Sequence, residues 1–583
     1  MKNTRPARHT IRRAALLAPF CAALLATSGF VPANARTQAA EATAPASAAA
    51  SAPAAARQPN FLVIVADDLG WSDLGAFGGE IATPNLDALA TKGVRLTGFH
   101  TAPTCSPTRA MLLSGTDNHR AGLGNMAELT AANQKGKPGY EGHLRPDVAS
   151  LAERLGAGGY RTLMSGKWHL GLTPEQNPQA RGFQHSFALL QGAGNHFGLD
   201  RAPTADPAAK AGTIYTRDGK FLEKLDKGFY SSDAFASNLI EELKQSRSEA
   251  PEKPFFAYLT FTAPHWPLQA PKEDIERQKG RYDQGFEALR SARIARQEEL
   301  ALVPKGTLAH SVRAPRGGWD SLSASEKRSA SRDMEIYAAM VSRMDANVGR
   351  VIAELRDSGE LDNTVIVFLA DNGAEGLDSR STGAKMLAER VKDADNSFDN
   401  RGAGTSYVTY GAEWAQAATA PSWLFKAYAS EGGTRTVAFV NAPGLAQPGS
   451  IGKAYVNVAD LAPTLLDYAG IPSNGDTFEG RKVLPITGAS ARGWLEGRSS
   501  HVHAPDEAIG TELFGSRAIR QGDWKITDIG DGEWHLFNIA ADPGETQDLS
   551  EAEPERLKAL IAQWDSYAKN NGVILPDSTP YRP

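Results

Sequence analysis

The stretch Thr104-Cys105-Ser106-Pro107-Thr108-Arg109-Ala110-Met111-Leu112-Leu113-Ser114-Gly115 puts a thiol, a proline and a guanidinium within five residues. Proline suits the first turn of a helix, where its missing N–H would be unpaired in any case. Cys105 is therefore expected at the mouth of a helix, where free N–H groups and the helix dipole favour an anion. Arg109, one turn on, shares that face and adds a rigid fork of donors. The chemistry so assembled is a nucleophile beside an anion site. The other reading of these residues is a buried cysteine at an ordinary helix start.

Further chemistry-bearing residues follow apolar runs. Asp67-Asp68 closes the run Asn60–Ala66, and two adjacent carboxylates need compensation from a cation or from several donors. The alternative there is a solvated loop in which Asp68 caps a turn. Lys167 and His169 follow the strand-like Arg161–Ser165, and an extended segment turns both toward one cleft. His265 lies between Pro264 and Pro267 after the run Pro254–Thr262, in a loop that the prolines pin. Asp371-Asn372-Gly373 ends Thr364–Ala370. Open α/β sheets form their sites at the carboxyl ends of strands, and these clusters all sit at such ends. Three carboxylates and one amide make a set of hard oxygen donors, which points to Ca²⁺, or less readily Mg²⁺, rather than zinc.

Cys-x-Pro-x-Arg followed by Ser114-Gly115 resembles the signature of the type I sulfatases, the formylglycine-dependent arylsulfatases of the alkaline phosphatase superfamily. Phe261-Thr262-Ala263-Pro264-His265-Trp266-Pro267-Leu268-Gln269 and the segment Tyr282–Arg290 are similar to the secreted bacterial branch, and the likeness runs over residues 59–575. The resemblance implies an α/β fold: a large mixed, mainly parallel sheet between helices (alkaline-phosphatase-like), with a smaller C-terminal α+β subdomain containing an antiparallel sheet. It implies hydrolysis of sulfate esters to an alcohol or phenol plus sulfate. Cys105, converted to formylglycine by a maturation enzyme, would be the nucleophile and would carry a covalent sulfo-enzyme intermediate.

The same resemblance assigns Asp67, Asp68, Asp371, Asn372 and the modified Cys105 to a Ca²⁺ ion. Arg109, Lys167, His169, His265 and Lys426 match the other active-site positions, Lys426 through its spacing before Glu431-Gly432-Gly433. Asp371 would take the proton of the attacking hydroxyl, His265 with Lys426 would protonate the leaving group, and His169 would deprotonate the second hydroxyl. A phosphate or phosphonate ester hydrolase of the same superfamily is the nearest alternative. A non-catalytic binder of sulfated ligands with unmodified Cys105 is another.

The elements that must position these residues are legible in outline. Strands are expected at the apolar runs above, at Val94–Phe99 and at Thr436–Val440. Helices are expected over Thr83–Lys92, Leu151–Leu155, Asp333–Leu355 and Asp460–Ala469, with residues 270–330 as solvated helices and loops covering the domain. Beyond residue 475 the texture changes. Ala518–Thr527 and Trp534–Asn538 alternate as strands around Asp531-Gly532, the helix Pro554–Tyr567 follows, and Asp542-Pro543-Gly544-Glu545 takes a structural role. The domains are thus a catalytic unit at 59–475 and an α+β subdomain at 476–583.

At the N-terminus, Lys2, Arg5, Arg8, Arg12 and Arg13 precede an apolar stretch from Ala14 to Phe30 and the small-x-small site Ala33-Asn34-Ala35. That is the layout of a signal peptide over residues 1–35, ahead of an Ala/Pro-rich linker at 36–58, and it predicts a periplasmic or secreted protein. Loss of those five basic residues leaves 57 Lys+Arg against 67 Asp+Glu, a formal charge of −10. Such a balance argues against nucleic acid or an anionic membrane as partner, and no later segment is long and apolar enough for membrane insertion. Of the two cysteines, Cys21 leaves with the leader. Cys105 is then without a disulfide partner in its own chain, so it is either inert or the centre of the chemistry.

Overall fold

Residues Phe61 to Val65 are apolar without a break, and the structure shows why. Leu62, Ile64 and Ala66 pack into one hydrophobic core while Phe61, Val63 and Val65 pack into another. A strand whose alternate side chains enter two cores must be apolar on both faces. The computed structural model describes residues 57–207, 212–379, 388 and 391–578. The expected signal peptide and residues 36–56 of the linker lie outside the described residues.

Ten strands form the main sheet: β1 Asn60–Ala66, β2 Val94–Leu96, β3 Arg161–Lys167, β4 His185–Leu189, β5 Tyr215–Arg217, β6 Lys220–Phe221, β7 Phe255–Thr260, β8 Thr364–Ala370, β9 Ala438–Asn441 and β10 Ile451–Gly452. Their spatial order is β10-β2-β9-β8-β1-β7-β3-β4-β5-β6. The five central strands from β8 to β4 run parallel, while β9, β5 and β6 pair antiparallel with their neighbours. This is the mixed, mainly parallel sheet that the sequence suggested.

Helices cover both faces. α1 (Cys105–Ser114), α2 (Leu151–Ala157) and α3 (Leu461–Ala469), named here for the first face, contribute Leu112, Leu155 and Leu465 to the core shared with Phe61 and Val63. On the other face, the helices Ser231–Glu249 and Ala324–Asp357 contribute Leu239, Met340 and Val348 to the core shared with Leu62 and Ile64. The helix expected at Asp333–Leu355 starts nine residues earlier, at Ala324. Its first turns carry few apolar residues, and the start is set instead by a capping box in which Ser323 and Glu326 satisfy each other's backbone N–H groups.

Three other expectations are corrected. The strand read over Val94–Phe99 breaks after Leu96, and Phe99–His100 pairs with Val456–Asn457 in a separate small sheet. Residues 270–330 are not simply a solvated cover: Arg293 is buried and bridges Asp73 at 2.6 Å and Glu80 at 2.8 Å. Ala518–Thr527 is two strands, because Gly522 (φ 59°) turns the chain between Gln521 and its partner Trp524. The antiparallel C-terminal sheet accordingly has four strands: β11 Ala508–Leu513, β12 Ser516–Gln521, β13 Trp524–Asp528 and β14 His535–Asn538. The helix Pro554–Asn571 covers it through Leu560 and Trp564.

Two buried polar joints fasten this sheet to the main body. Lys525 Nζ donates to Glu431 at 2.9 Å and to Glu545 at 3.1 Å, so the Asp542–Glu545 turn closes a charge cluster. In the second joint, the buried His119 reaches Asp117 at 2.9 Å through Nδ1 and Glu512 on β11 at 3.0 Å through Nε2. Burial alone would lower the pKa of His119, but Asp117 and Glu512 overcome it and raise it to about 9. A pKa raised on folding contributes stability that is complete below the ordinary value of 6.5 and is lost as pH rises through 9. The resulting loss is about 3 kcal/mol between pH 6.5 and 9.5. Thermal melts over that range are expected to show a falling midpoint in the wild type and a flatter profile in His119→Gln. Parallel profiles would show that His119 is not charged in the folded protein.

Candidate active site

Strand register assembles the site. Phe61 to Ala66 pair in order with Val365 to Ala370, so Asp67-Asp68 and Asp371-Asn372 leave the sheet side by side. On the other side of β1, β7 ends at Thr260 and β3 at Lys167, with Gly166 paired to Thr260. Gly166 (φ 127°) lies so close to Thr260 that an added Cβ would sit 1.8 Å from its carbonyl oxygen. That close approach lets β3 deliver Lys167 to the cleft. Helix α1 begins at Cys105 with Pro107 in its first turn, as the sequence required, and Arg109 follows on the same face.

Every sequence-derived site residue is buried here: Asp67, Asp68, Cys105, Arg109, Lys167, His169, His265, Asp371, Asn372 and Lys426. Each of the three cations has a principal carboxylate partner, and Arg109 Nη2 also lies 3.8 Å from Asp67. Lys167 Nζ donates to both oxygens of Asp67, at 2.9 and 2.7 Å. Lys426 Nζ contacts both oxygens of Asp68, at 2.8 and 2.9 Å. Arg109 holds Asp371 with its fork, Nε at 3.0 Å and Nη2 at 2.7 Å from Oδ2. Arg109 Nη1 also donates to the Lys167 carbonyl at 3.0 Å, tying the helix to the end of β3.

Burial dominates the electrostatics. It pushes Asp67 up to about 8 and Asp68 up to about 6, against the pull of Lys167 and Lys426 and with the help of neighbouring carboxylates. Asp371 goes the other way: burial would raise it, but Arg109 and the two lysines hold it below the usual carboxylate range. Burial and Asp371 push the Cys105 thiol well up, so it stays protonated at neutral pH and is a poor nucleophile as it stands. Burial, then Lys426 and Lys167, hold His265 neutral. Its Nδ1–H donates to the Trp266 carbonyl at 2.6 Å, and Nε2 lies 3.4 Å from Asp68 Oδ2.

Four of these residues could together hold a metal ion. Asp67, Asp68, Cys105 and His265 bring one ligand atom each within 4.8 Å of one another. Asn372 Nδ2 donates to Asp68 Oδ1 at 2.6 Å, while its Oδ1 is buried with no hydrogen-bond partner among the described residues. A buried amide oxygen without a donor is a ready ligand position. Asp371 Oδ1 accepts the Asp68 N–H at 3.2 Å, which places it beside this cluster.

Three residues depart from or extend the sequence reading. Lys167 and His169 both reach the site, but not from one extended segment. β3 ends at Lys167, and His169 adopts φ 58°, which breaks the alternation. His169 Nε2 contacts Glu128 Oε1 at 3.1 Å, and its Nδ1 is buried with no hydrogen-bond partner among the described residues. Glu128 had no signal in the sequence, since it comes from a short turn far from any strand end. Glu375 was also missed, although it follows Asn372 by three residues. It contacts Lys426 Nζ at 3.1 Å and accepts from Trp266 Nε1 at 3.3 Å. A cavity of about 780 Å³ opens over Thr104, Ser106, His169, His265 and Lys426.

Residues 59–471 match the sulfatase family. The chain belongs to that family. An uncharacterized sulfatase of Schizosaccharomyces pombe is 47% identical over 534 residues, covering 89% of this chain and 95% of that protein. The arylsulfatase of Klebsiella aerogenes is 41% identical over 437 residues, 74% of this chain and 91% of that one. Among solved structures, one of Ps i-CgsB in complex with a neocarrahexaose superposes with a TM-score of 0.62 at 23% identity, covering 90% of this chain and 95% of that one, and so shares the fold. This sulfatase is a sulfuric ester hydrolase. No helix among its described residues is long and apolar enough to cross a membrane.

This pairing of cations and carboxylates makes a direct expectation. Lys167→Met removes the principal partner of Asp67, leaving Arg109 Nη2 at 3.8 Å as its remaining cation, and is expected to destabilise the protein by about 3 kcal/mol in a urea unfolding titration. Adding Asp67→Asn is expected to restore most of that loss. Additive losses in the double variant would show that the pair does not interact as described.

Proposed function

We propose that this sulfatase is a formylglycine-dependent arylsulfatase that binds Ca²⁺ and is exported to the periplasm or beyond. Its catalytic domain would span residues 59–475, with 476–583 as an α+β subdomain. The observation that carries the proposal is the cage itself: a buried cysteine that does not ionise, set among three carboxylates and three cations. A thiol in that setting has little to do, whereas an aldehyde hydrate there would offer a hydroxyl nucleophile and a bound Ca²⁺ would polarise the ester oxygens.

Asp67, Asp68, Asp371 and Asn372 would hold the ion. Arg109 and Lys167 orient residue 105 and face the sulfate anion, where fixed positive groups oppose the charge of the equatorial oxygens. Asp371, kept ionised by Arg109, accepts a proton at its carboxylate. Lys426 and His265 Nε2 lie on the leaving-group side and supply its proton, the charge of the bound sulfate favouring protonation of His265. His169 is the second base. Glu128 holds the proton on Nε2, which leaves the Nδ1 lone pair free to accept one.

Cys105→Ala is expected to abolish turnover of 4-nitrophenyl sulfate, and the intact mass of active wild-type protein is expected to fall short of the unmodified sequence by about 18 Da, as exchange of thiol for carbonyl oxygen requires. Full activity at the unmodified mass would exclude formylglycine. Rates on matched aryl sulfate, phosphate and phosphonate esters are expected to favour sulfate, and a preference for phosphonate would favour the alternative hydrolase. Removal of Ca²⁺ by chelation is expected to lower both activity and the thermal midpoint, because it strips compensation from buried carboxylates. Recovery with Ca²⁺ but not with Zn²⁺ checks the donor chemistry. His265→Ala is expected to slow alkyl sulfates more than nitrophenyl sulfate, since only a poor leaving group needs the proton.

A further inference from the structure

The tip of the β11–β12 hairpin breaks a rule of turn chemistry. Leu513 pairs with Ser516, so the loop is two residues long, Phe514-Gly515. Both have positive φ, 55° at Phe514 and 85° at Gly515. Two-residue hairpins with positive φ at both positions select Asn, Asp or Gly at the first. A phenylalanine there is under backbone strain, and strain of this kind persists where the surroundings over-determine it, commonly at functional sites.

The surroundings do over-determine it. Gly515 N–H donates to Glu512 Oε1 at 2.8 Å while Glu512 Oε2 meets His119 at 3.0 Å, which fixes one side of the tip. On the other side, Ser516 Oγ accepts the Ala429 N–H at 2.9 Å, and Ala429 belongs to the loop that carries Lys426. The ring of Phe514 joins Met126, Tyr407 and Ala427 in a small buried cluster with Leu129 and Trp266 against it, and it lines the active-site cavity. Trp266 in turn lies 4.4 Å from the His265 ring and 5.9 Å from that of Tyr407, centroid to centroid. An apolar wall thus begins next to the residue on the leaving-group side and continues onto the C-terminal sheet. The charged side chains lining the same cavity are mixed in sign: Glu128 is held by His169 and Glu375 by Lys426, with Glu141 and Lys135 also on its wall.

We propose that Phe514 is a substrate-contacting specificity residue, supplied by the C-terminal sheet, that selects a substrate with an apolar aromatic leaving group. This rests on the sulfate ester reading above and adds the part of the chain that reads the alcohol. Flat apolar rings against Trp266 and Phe514 gain area burial and ring–ring contact that a small or polyhydroxylated leaving group cannot.

The test uses the full mature enzyme with 1-naphthyl sulfate, methyl sulfate and glucosamine 6-sulfate as substrates and inorganic sulfate as an inhibitor that occupies the anion site alone. Wild-type kcat/KM is expected to rank naphthyl sulfate first. Phe514→Ala is expected to raise KM for naphthyl sulfate about tenfold with kcat changed less than about twofold, as loss of a binding contact requires. Inhibition by inorganic sulfate is expected to stay unchanged. Phe514→Leu, which keeps an apolar side chain, is expected to fall between the two and serves alone if the alanine variant does not fold. An unchanged KM for naphthyl sulfate, or equal weakening of naphthyl sulfate and inorganic sulfate, would overturn the proposal by reducing Phe514 to a packing residue. A wild type that prefers glucosamine 6-sulfate would also overturn it. A wild type that releases sulfate from none of these esters would instead defeat the functional reading on which the proposal stands.

Discussion

Three carboxylates with no access to water, brought together by strand register, are the constraint on which the rest of this structure depends. Pairing Ala66 with Ala370 forces Asp67-Asp68 and Asp371-Asn372 into one small volume. Unpaired, such a cluster would either protonate or unfold the region around it. The fold answers with one cation per carboxylate, each from a different element: Lys167 from the end of β3, Arg109 from α1, and Lys426 from the loop before the turn at Glu431. Glu375 adds a further negative group at Lys426, so the buried charge remains tilted toward anionic. A divalent ion bound there would reverse that tilt and make the same volume a receptor for an anion.

Seen this way, the two-sided apolar strands do more than make a core. Their continuous burial leaves no freedom of register, since a slip by one residue would exchange the two cores around Phe61 and Leu62 and separate the acids. The helix at Cys105 adds directionality. It brings Arg109 onto Asp371, with the Cys105 Sγ atom 3.8 Å from Asp68 Oδ1. The C-terminal sheet, joined through His119–Glu512 and Lys525–Glu431, completes the cavity wall rather than standing apart from it.

Much of this was legible in the sequence because strand ends announce themselves. The central strands β1, β7 and β8 were placed from apolar runs and β3 as a short strand, and the polar residues immediately beyond them proved to be neighbours. Helix α1 followed from Pro107 and the position of Arg109. What escaped was encoded in tertiary contacts or in turns. The backbone at His169 enters the left-handed region, which no alternation rule anticipates, and its partner Glu128 comes from a turn without any pattern of its own. The start of the long helix at Ala324 was hidden because capping, not hydrophobic periodicity, sets it. The hairpin at Gly522 was missed inside a run that alternated on both sides of the turn, and Phe514 sits where turn chemistry would have placed Asn or Gly. The C-terminal sheet was thus read with too few strands and without its link to the cavity.

The central claim is that the buried acids exist to hold a divalent ion against an oxygen-bearing residue 105. Anomalous diffraction from crystals of catalytically active protein grown with Ca²⁺ tests it most directly. The account predicts one ion within about 2.3–2.6 Å of oxygens from Asp67, Asp68, Asp371 and Asn372, and two oxygen atoms in place of the sulfur at position 105. Active crystals with an intact thiol, or with lysines alone neutralising the acids and no ion among them, would contradict it.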